Sequence, residues 1–311
     1  MKLSKKISVV VPVLNEAKVL AKFHDRLRRI LEEHVEEFEI IFVDDGSSDS
    51  TIDQLRELSR KDFRVKIISF SRNFGHPMAI SAGLDYVSGD AAIIIDADLQ
   101  DPPEILPEFL HKWQEGYKVV YGVRSKRKEW FYKRLAYWLF YRMLSKLAPL
   151  HIPLDAGDFA LLDRDIVNIL KLLPERSRFV RGLRSWVGFR QYGVVYERAA
   201  RQGGWTKYPF KKLLKLAADG IFSFSYIPLR LATILGFLVA STAFLAIVVI
   251  LFSRLVYGVI GVPGFSSTII TVLFMGGIQL ISMGILGEYI ARIYEEVKNR
   301  PLYVIKEKIG L

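Results

Sequence analysis

The chain has 311 residues, enough for one large domain with an appendage or for two domains. It contains no cysteine, which excludes disulfides, thiolate-ligated zinc and a thiol nucleophile. The net charge of +11 is clustered, with eight Lys/Arg against one Glu from Arg124 to Lys146 and eleven against one from Arg176 to Lys215. Two such clusters upstream of an apolar segment fit anionic lipid headgroups better than nucleic acid, for which no accompanying motif is present.

The N-terminal lysines precede a short apolar run, Ile7 to Val13, with no small-residue cleavage site, so no signal peptide is expected. That run is β-branched, as are Ile40–Asp44, Val65–Phe70 and Ala91–Ile95, with Lys118–Tyr121 a shorter fifth. Helical patterns lie between them at Ala17–Glu33, Ser50–Arg60, His76–Val87 and Glu104–Glu115. Near-continuous apolar strands alternating with amphipathic helices predict an α/β domain with a mostly parallel sheet covered on both faces. Ligands of such sheets bind beyond the carboxyl ends of the strands.

Four predicted strand ends carry polar clusters: Asn15-Glu16, Asp44 to Asp49, Ser71 to Gly75, and Asp96-Ala97-Asp98-Leu99-Gln100. Any one of them is ordinary turn chemistry. Four at one edge of one sheet mark a site. Asp96 and Asp98, two apart at the end of an apolar strand, point the same way. Two hard oxygen ligands at a rim suit Mg²⁺ or Mn²⁺ carrying a diphosphate.

Beyond residue 125 the pattern changes. Trp130–Leu147 mixes aromatic and basic residues at helical spacing, which suits either a core helix or a helix in a membrane interface. A second amphipathic stretch is Tyr208–Phe224. Residues 231–253 carry no charge and are long enough to cross a ~30 Å hydrocarbon core. After a break at Gly258–Ser266, Thr268–Gly287 offers a second span. Small residues in both (Gly236, Ala240, Ala243; Gly276, Gly277, Gly284, Gly287) predict helix packing between spans or between protomers, hence a homo-oligomer through the membrane helices. The loop between the spans has only Arg254, whereas the tail carries Arg292, Lys298, Arg300, Lys306 and Lys308. The positive-inside rule then places the globular domain and both termini in the cytoplasm. The predicted domains are 1–208 (catalytic), 209–229 (amphipathic), 230–290 (transmembrane hairpin) and 291–311 (tail).

Taken together, ISVVVPVLNEA, FVDDGSSDST, FSRNFGH, IDADLQDPPE, DAGDFALLDR and FVRGLRSWVGF resemble the family 2 glycosyltransferases of the polyprenyl-phosphate type. These include dolichyl-phosphate mannose synthases and bacterial undecaprenyl-phosphate glucosyltransferases. The resemblance runs from about Ile7 to Tyr208, and the two-span tail is similar to the bacterial branch. One departure is Gly204-Trp205-Thr206-Lys207-Tyr208, where the family often has Gly-Glu-Ser-Lys-Tyr.

The resemblance implies a GT-A fold, a Rossmann-like mostly parallel sheet, followed by interface helices and two transmembrane helices. It implies that Pro12, Asn15, Glu16, Asp44 and Asp45 hold the nucleoside of a nucleotide-sugar, and that Asp96, Ala97, Asp98 and Gln100 serve the metal and diphosphate. It further implies that Arg124 and Arg134 meet the acceptor phosphate, Arg201 and Lys207 close over the phosphates, and Asp158 faces the reacting sugar carbon. The expected reaction is inverting transfer of a hexose, with UDP-glucose the first choice, to a polyprenyl phosphate. GDP-mannose and a UDP-aminoarabinose remain open as donors, as does a membrane-tethered nucleotide-binding protein without catalysis. A processive polysaccharide synthase is disfavoured because its Gln-x-x-Arg-Trp motif and further spans are missing. A dinucleotide-dependent oxidoreductase is disfavoured because no strand is followed by G-x-G-x-x-G.

Overall fold

The computed structural model describes residues 2–124, 156–176, 178–197, 227–257 and 264–311. The stretches Trp130–Leu147 and Tyr208–Phe224, and the site residues Arg134, Arg201 and Lys207, lie outside the described residues. The chain divides into two compact units. Of the described residues, the first unit holds 2–124, those from 156 to 197, and 300–311, and the second holds 227–257 and 264–299.

The first unit is built on an eight-stranded sheet with strand order β7-β5-β6-β4-β1-β2-β3-β8. The strands are β1 (Ile7–Val13), β2 (Phe38–Asp44), β3 (Val65–Phe70), β4 (Ala91–Ile94), β5 (Val119–Arg124), β6 (Ala156–Asp163), β7 (Gln191–Tyr196) and β8 (Ile305–Ile309). The block β3-β2-β1-β4 is parallel. β6 runs antiparallel to both β4 and β5, and β8 antiparallel to β3. Strands β1 and β2 are buried at every position, as continuous apolar runs in a parallel sheet must be.

One face is covered by α1 (Leu20–His34), α2 (Thr51–Lys61) and α4 (Leu106–Gln114), and the other by α3 (His76–Tyr86), α5 (Arg164–Leu172) and α6 (Val180–Trp186). In α1 the buried residues Leu20, Phe23, Leu27 and Leu31 fall at spacings of three and four, the apolar stripe of a half-buried helix. The expected start at Ala17 moves to Leu20 because Asn15 adopts a left-handed conformation (φ 56°) and Glu16 O first accepts both Val19 N and Leu20 N in a turn. Helix α5 is capped by Asp163, whose carboxylate accepts Asp165 N at 3.0 Å and also Trp113 Nε1 at 2.8 Å.

Chain order along the sheet reverses between β1 and β4. That is the topological switch point, where an open α/β sheet leaves a crevice beyond its strand ends. The two reversed strands also deliver residues to this rim. β6 enters at its first residues, Ala156–Asp158, and the chain just before β8 lies beside the end of β3. The sequence predicts a tail over 291–311; Ile305–Ile309 is instead an edge strand of this sheet.

The second unit contains α7 (Ile227–Tyr257) and α8 (Phe265–Val297), which pack against each other. At 31 and 33 residues they extend roughly 45–50 Å, longer than a ~30 Å hydrocarbon core. Large apolar side chains such as Phe237, Phe244, Leu280 and Met283 are exposed on this unit. By length and composition both helices are able to cross a membrane.

Candidate active site

The crevice has two halves. On the β1–β2–β3 side the polar residues hold one another. Asp44 is buried; its Oδ1 accepts Ser47 N at 3.1 Å and its Oδ2 accepts Ser69 Oγ at 2.9 Å. Asp45, also buried, accepts Phe74 N at 2.7 Å and Gly75 N at 3.0 Å. Burial pushes the Asp45 carboxyl above its ordinary value, partly offset by those two amide bonds. Asn15 accepts Ser48 N at 2.8 Å and its own amide donates to Ser47 Oγ at 2.9 Å. Gly46 sits at φ +72°, and a Cβ there would lie 2.6 Å from the carbonyl carbon of Arg72. Only glycine lets the 44–49 loop touch the 71–75 loop this closely. Pro12 is buried inside β1, so of the expected nucleoside set Asn15 and Glu16 are the ones at the surface.

The β4 side is built differently. After Ile94 the chain turns through Asp96 to Asp101, with Leu99 in a left-handed conformation (φ 59°). Asp98 Oδ1 accepts Gln100 N at 3.0 Å, which closes the turn, while Ala97 and Leu99 are buried beneath it. Four carboxylates gather here: Asp96, Asp98, Asp101 and Asp158. The Asp96 side chain keeps 29 % of its surface exposed in this concave rim. Burial raises its pKa; His76 opposes that, and repulsion from Asp158, Asp101 and Asp98 adds to it, with the outcome at about 6. His76, the first residue of α3, places Nε2 3.5 Å from Asp96 and 3.7 Å from Asp158.

Asp158 is held by Arg181 of α6 in a two-pronged pair, Nε to Oδ1 at 2.8 Å and Nη2 to Oδ2 at 2.9 Å. Burial acts to raise its pKa. The charge and hydrogen bonds of Arg181, helped by His76 and Arg184, outweigh burial and hold it at about 2. Arg184, one turn on, is 1 % exposed. It lies 4.7 Å from the centre of the Tyr121 ring and donates to Gly157 O at 3.4 Å, while its Nε and Nη2 have no acceptor among the described residues. Burial lowers its pKa to about 10, so it stays cationic at neutral pH.

Arg124, at the end of β5, turns inward. Its Nη2 is 3.9 Å from Asp101 Oδ2, and its Nε is 3.5 Å from the Tyr196 hydroxyl, which itself donates to Asp101 Oδ1 at 2.5 Å. Burial, reinforced by Asp101, keeps Tyr196 protonated far above the ordinary tyrosine range. Gly157 makes room for this: a Cβ there would lie 2.9 Å from Arg124 Nη2.

The structure therefore brings Asp96, Asp98, Gln100, Asp158 and Arg124 to one rim, and places Asn15, Glu16, Asp44 and Asp45 on the neighbouring strand ends. It adds His76, Asp101, Arg181, Arg184 and Tyr196, to which the sequence reading gave no role. All but Tyr196 lie within FSRNFGH, IDADLQDPPE or FVRGLRSWVGF, yet their convergence depends on the reversal of β6. No cluster of three or more Asp, Glu or His among the described residues is gathered closely enough to hold a metal by protein ligands alone. Two carboxylates at the end of β4 that repel each other and their neighbours nevertheless suit a cation that shares its coordination with phosphate oxygens and water.

The site is thus a set of paired carboxylates at the switch point of an α/β sheet, faced by an aspartate and arginines. Residues 8–170 match the model of glycosyl transferase family 2, and the chain belongs to that family. It is 50% identical over 305 residues to an uncharacterized glycosyltransferase of Bacillus subtilis, covering 98% of this chain and 94% of the relative. It is 45% identical over 304 residues to a prophage-derived bactoprenol glucosyl transferase of Shigella flexneri, covering 97% of this chain and 98% of the relative. Among solved structures, glucosyl-3-phosphoglycerate synthase from Mycobacterium tuberculosis aligns with a TM-score of 0.47 at 23% identity, covering 70% of this chain and 78% of that one. The protein is thus a glycosyltransferase of α/β, GT-A architecture with two apolar helices at its C-terminal side.

Proposed function

We propose that the protein transfers glucose from UDP-glucose to a polyprenyl phosphate at the cytoplasmic face of a membrane. The observation that carries this is the rim where Asp96 and Asp98 meet Asp158, held by Arg181 and Arg184, with Arg124 beside Asp101. The near full-length likeness to bactoprenol glucosyl transferases supports both the sugar and the lipid acceptor.

In this reading the nucleoside lies over the ends of β1 and β2, against Asn15 and Glu16. Asp44 and Asp45 shape that surface through the loops they bind. Asp96, Asp98 and Gln100 hold Mg²⁺ or Mn²⁺, which when bound neutralises charge on the leaving diphosphate. A lipid phosphate is already ionised at neutral pH, with a second pKa near ~6, and needs no strong base. Its oxygen attacks the anomeric carbon while the bond from that carbon to the diphosphate breaks, with inversion. Asp158, clamped by Arg181 and ionised, positions the sugar; a group held at about 2 is a poor proton acceptor. The cationic Arg124, Arg181 and Arg184 favour the approach of two anions. Arg134, Arg201 and Lys207 are proposed to join them on the acceptor and phosphates.

Helices α7 and α8 serve as the membrane anchor. Because Arg300–Leu311 belongs to the same unit as the N-terminal strands, an even number of crossings is favoured. The small residues Gly276, Gly277, Gly284 and Gly287 of α8 are proposed to let helices pack closely, between the spans or between protomers.

The test is a panel of UDP-glucose, GDP-mannose and a UDP-aminoarabinose offered with polyprenyl phosphate in detergent. Lipid-linked glucose from UDP-glucose is expected, with a β-anomer by proton NMR if the donor is α. Preference for either other donor would displace the sugar assignment, and a retained anomer would remove the single displacement.

A further inference from the structure

Residues that follow α8 do more than end the chain. Tyr303 stacks on Phe70 at the end of β3, with ring centres 5.0 Å apart and planes 16° from parallel. Its hydroxyl donates to Asp85 Oδ2 at 2.7 Å, a contact spanning 218 residues of sequence. The next carbonyl, Val304 O, accepts Ser71 N at 3.0 Å. Two residues into β8, Glu307 pairs with Arg56 of α2 at 2.6 Å. Two of these contacts, on Phe70 and Ser71, fix the start of the 71–75 loop.

That loop is part of the crevice. Phe70 meets Phe74 edge-on at 5.6 Å. The amides of Phe74 and Gly75 are the donors gripped by Asp45. Gly46 lies against Arg72 and Asn73, and the next residue along, His76, faces Asp96 and Asp158. A shift of Phe70 or Ser71 is therefore passed to the Phe74 and Gly75 amides and so to the surface assigned to the nucleoside. Packed chains of this kind transmit displacement because well-packed contacts do not deform continuously.

We propose that the segment from Pro301 to Glu307 is a strap that holds the 71–75 loop in its donor-binding shape, with Tyr303 as a positioning residue for the nucleotide. The strap follows α8 in the chain; α8 ends at Val297, six residues before Tyr303. It lies on the edge strand, where an unpaired β3 would otherwise expose a row of backbone donors and acceptors. The inference rests on the proposed placement of the nucleotide over β1 and β2.

The experiment is calorimetric titration of UDP, with Mn²⁺, into the detergent-solubilised full chain and into Y303F, Y303L and Y303W. Removing the hydroxyl alone in Y303F is expected to weaken UDP about threefold, the scale of one hydrogen bond acting indirectly. Removing the stack in Y303L is expected to weaken it about tenfold, and Y303W, which restores an aromatic face, to recover most of that. In turnover, Y303L should raise the donor KM by a similar factor while kcat at saturating donor stays within about twofold. Unchanged UDP affinity in Y303L, with only a lower melting temperature, would reduce the strap to a fold-supporting strand and overturn the proposal. So would a loss of kcat at constant KM. If Y303L does not fold, Y303F decides: wild-type affinity there overturns the proposal. Absence of UDP binding in the wild type would remove the nucleotide placement itself, and the strap inference with it.

Discussion

The two halves of the crevice solve the burial of charge in opposite ways. Around β1–β2–β3, Asp44 and Asp45 are satisfied by amides and hydroxyls of their own loops, so this half is a finished surface before any ligand arrives. Around β4–β6, burial, reinforced by repulsion from neighbouring carboxylates, pushes Asp96 up to about 6, while Arg184 is buried with its Nε and Nη2 lacking acceptors among the described residues. Strain of this kind is retained where a ligand relieves it. The preformed half thus suits recognition, and the frustrated half suits the reacting groups.

The largest effect should come from breaking the frustrated half. Asp98→Ala is expected to lower turnover on the order of a hundredfold or more, since one ligand to the charge-neutralising cation is lost. Membrane insertion should be intact, and treating the wild type with EDTA should give the same loss; full activity in either case would contradict the metal role. Asp158→Asn should cost on the order of a hundredfold, mostly in kcat, because it leaves Arg181 and Arg184 facing a neutral group. Arg181→Lys keeps the charge but not the two-pronged geometry, and should fall between that variant and the wild type.

Changes in the preformed half should act on binding and stability. Gly46→Ala must adopt φ +72° and press against Arg72, so a loss of roughly 1–2 kcal/mol and a raised donor KM are expected, with kcat nearly unchanged. Far from the crevice, Glu39 offers a comparison. It is buried between Ser8, Ser88 and Lys66, and although burial acts to raise its pKa, these partners lower it from 4.5 to about 2. Its folded pKa lies below its unfolded one, so its contribution is full above about pH 4.5 and is lost as pH falls toward 2. The contribution is of order 3 kcal/mol. Glu39→Gln should lower stability at pH 7 and flatten the fall in stability between pH 5 and 3, as read by denaturant unfolding.

Much of this was legible in the sequence because burial in a parallel sheet writes itself as apolar runs. The first four strands and the helices between them were readable for that reason, as were Asp96 and Asp98 at a strand end. The rest was hidden by long-range pairing. Ala156–Asp163 has Gly157 and Asp158 near its start, residues that favour turns, and no strand is expected there from the sequence, so its antiparallel place between β4 and β5 was not apparent. Without that strand nothing in the residue pattern brings Arg181 to Asp158 or Tyr196 to Asp101. Ile305–Ile309, with alternating lysines and glutamate, carries the pattern of an edge strand but pairs with a partner some 240 residues earlier. The resemblance implies a nucleoside role for Asp44 and Asp45, and the loop hydrogen bonds that both carboxylates also make were not legible in the sequence.

The most direct measurement supplies membranes containing the protein with UDP-[¹⁴C]glucose, extracts the lipid, and repeats this with Asp98→Ala. The account predicts label in a phosphate-linked polyprenyl lipid for the wild type and near-background label for the variant. Label confined to polymer or to free glucose, or equal lipid labelling in both, would contradict it.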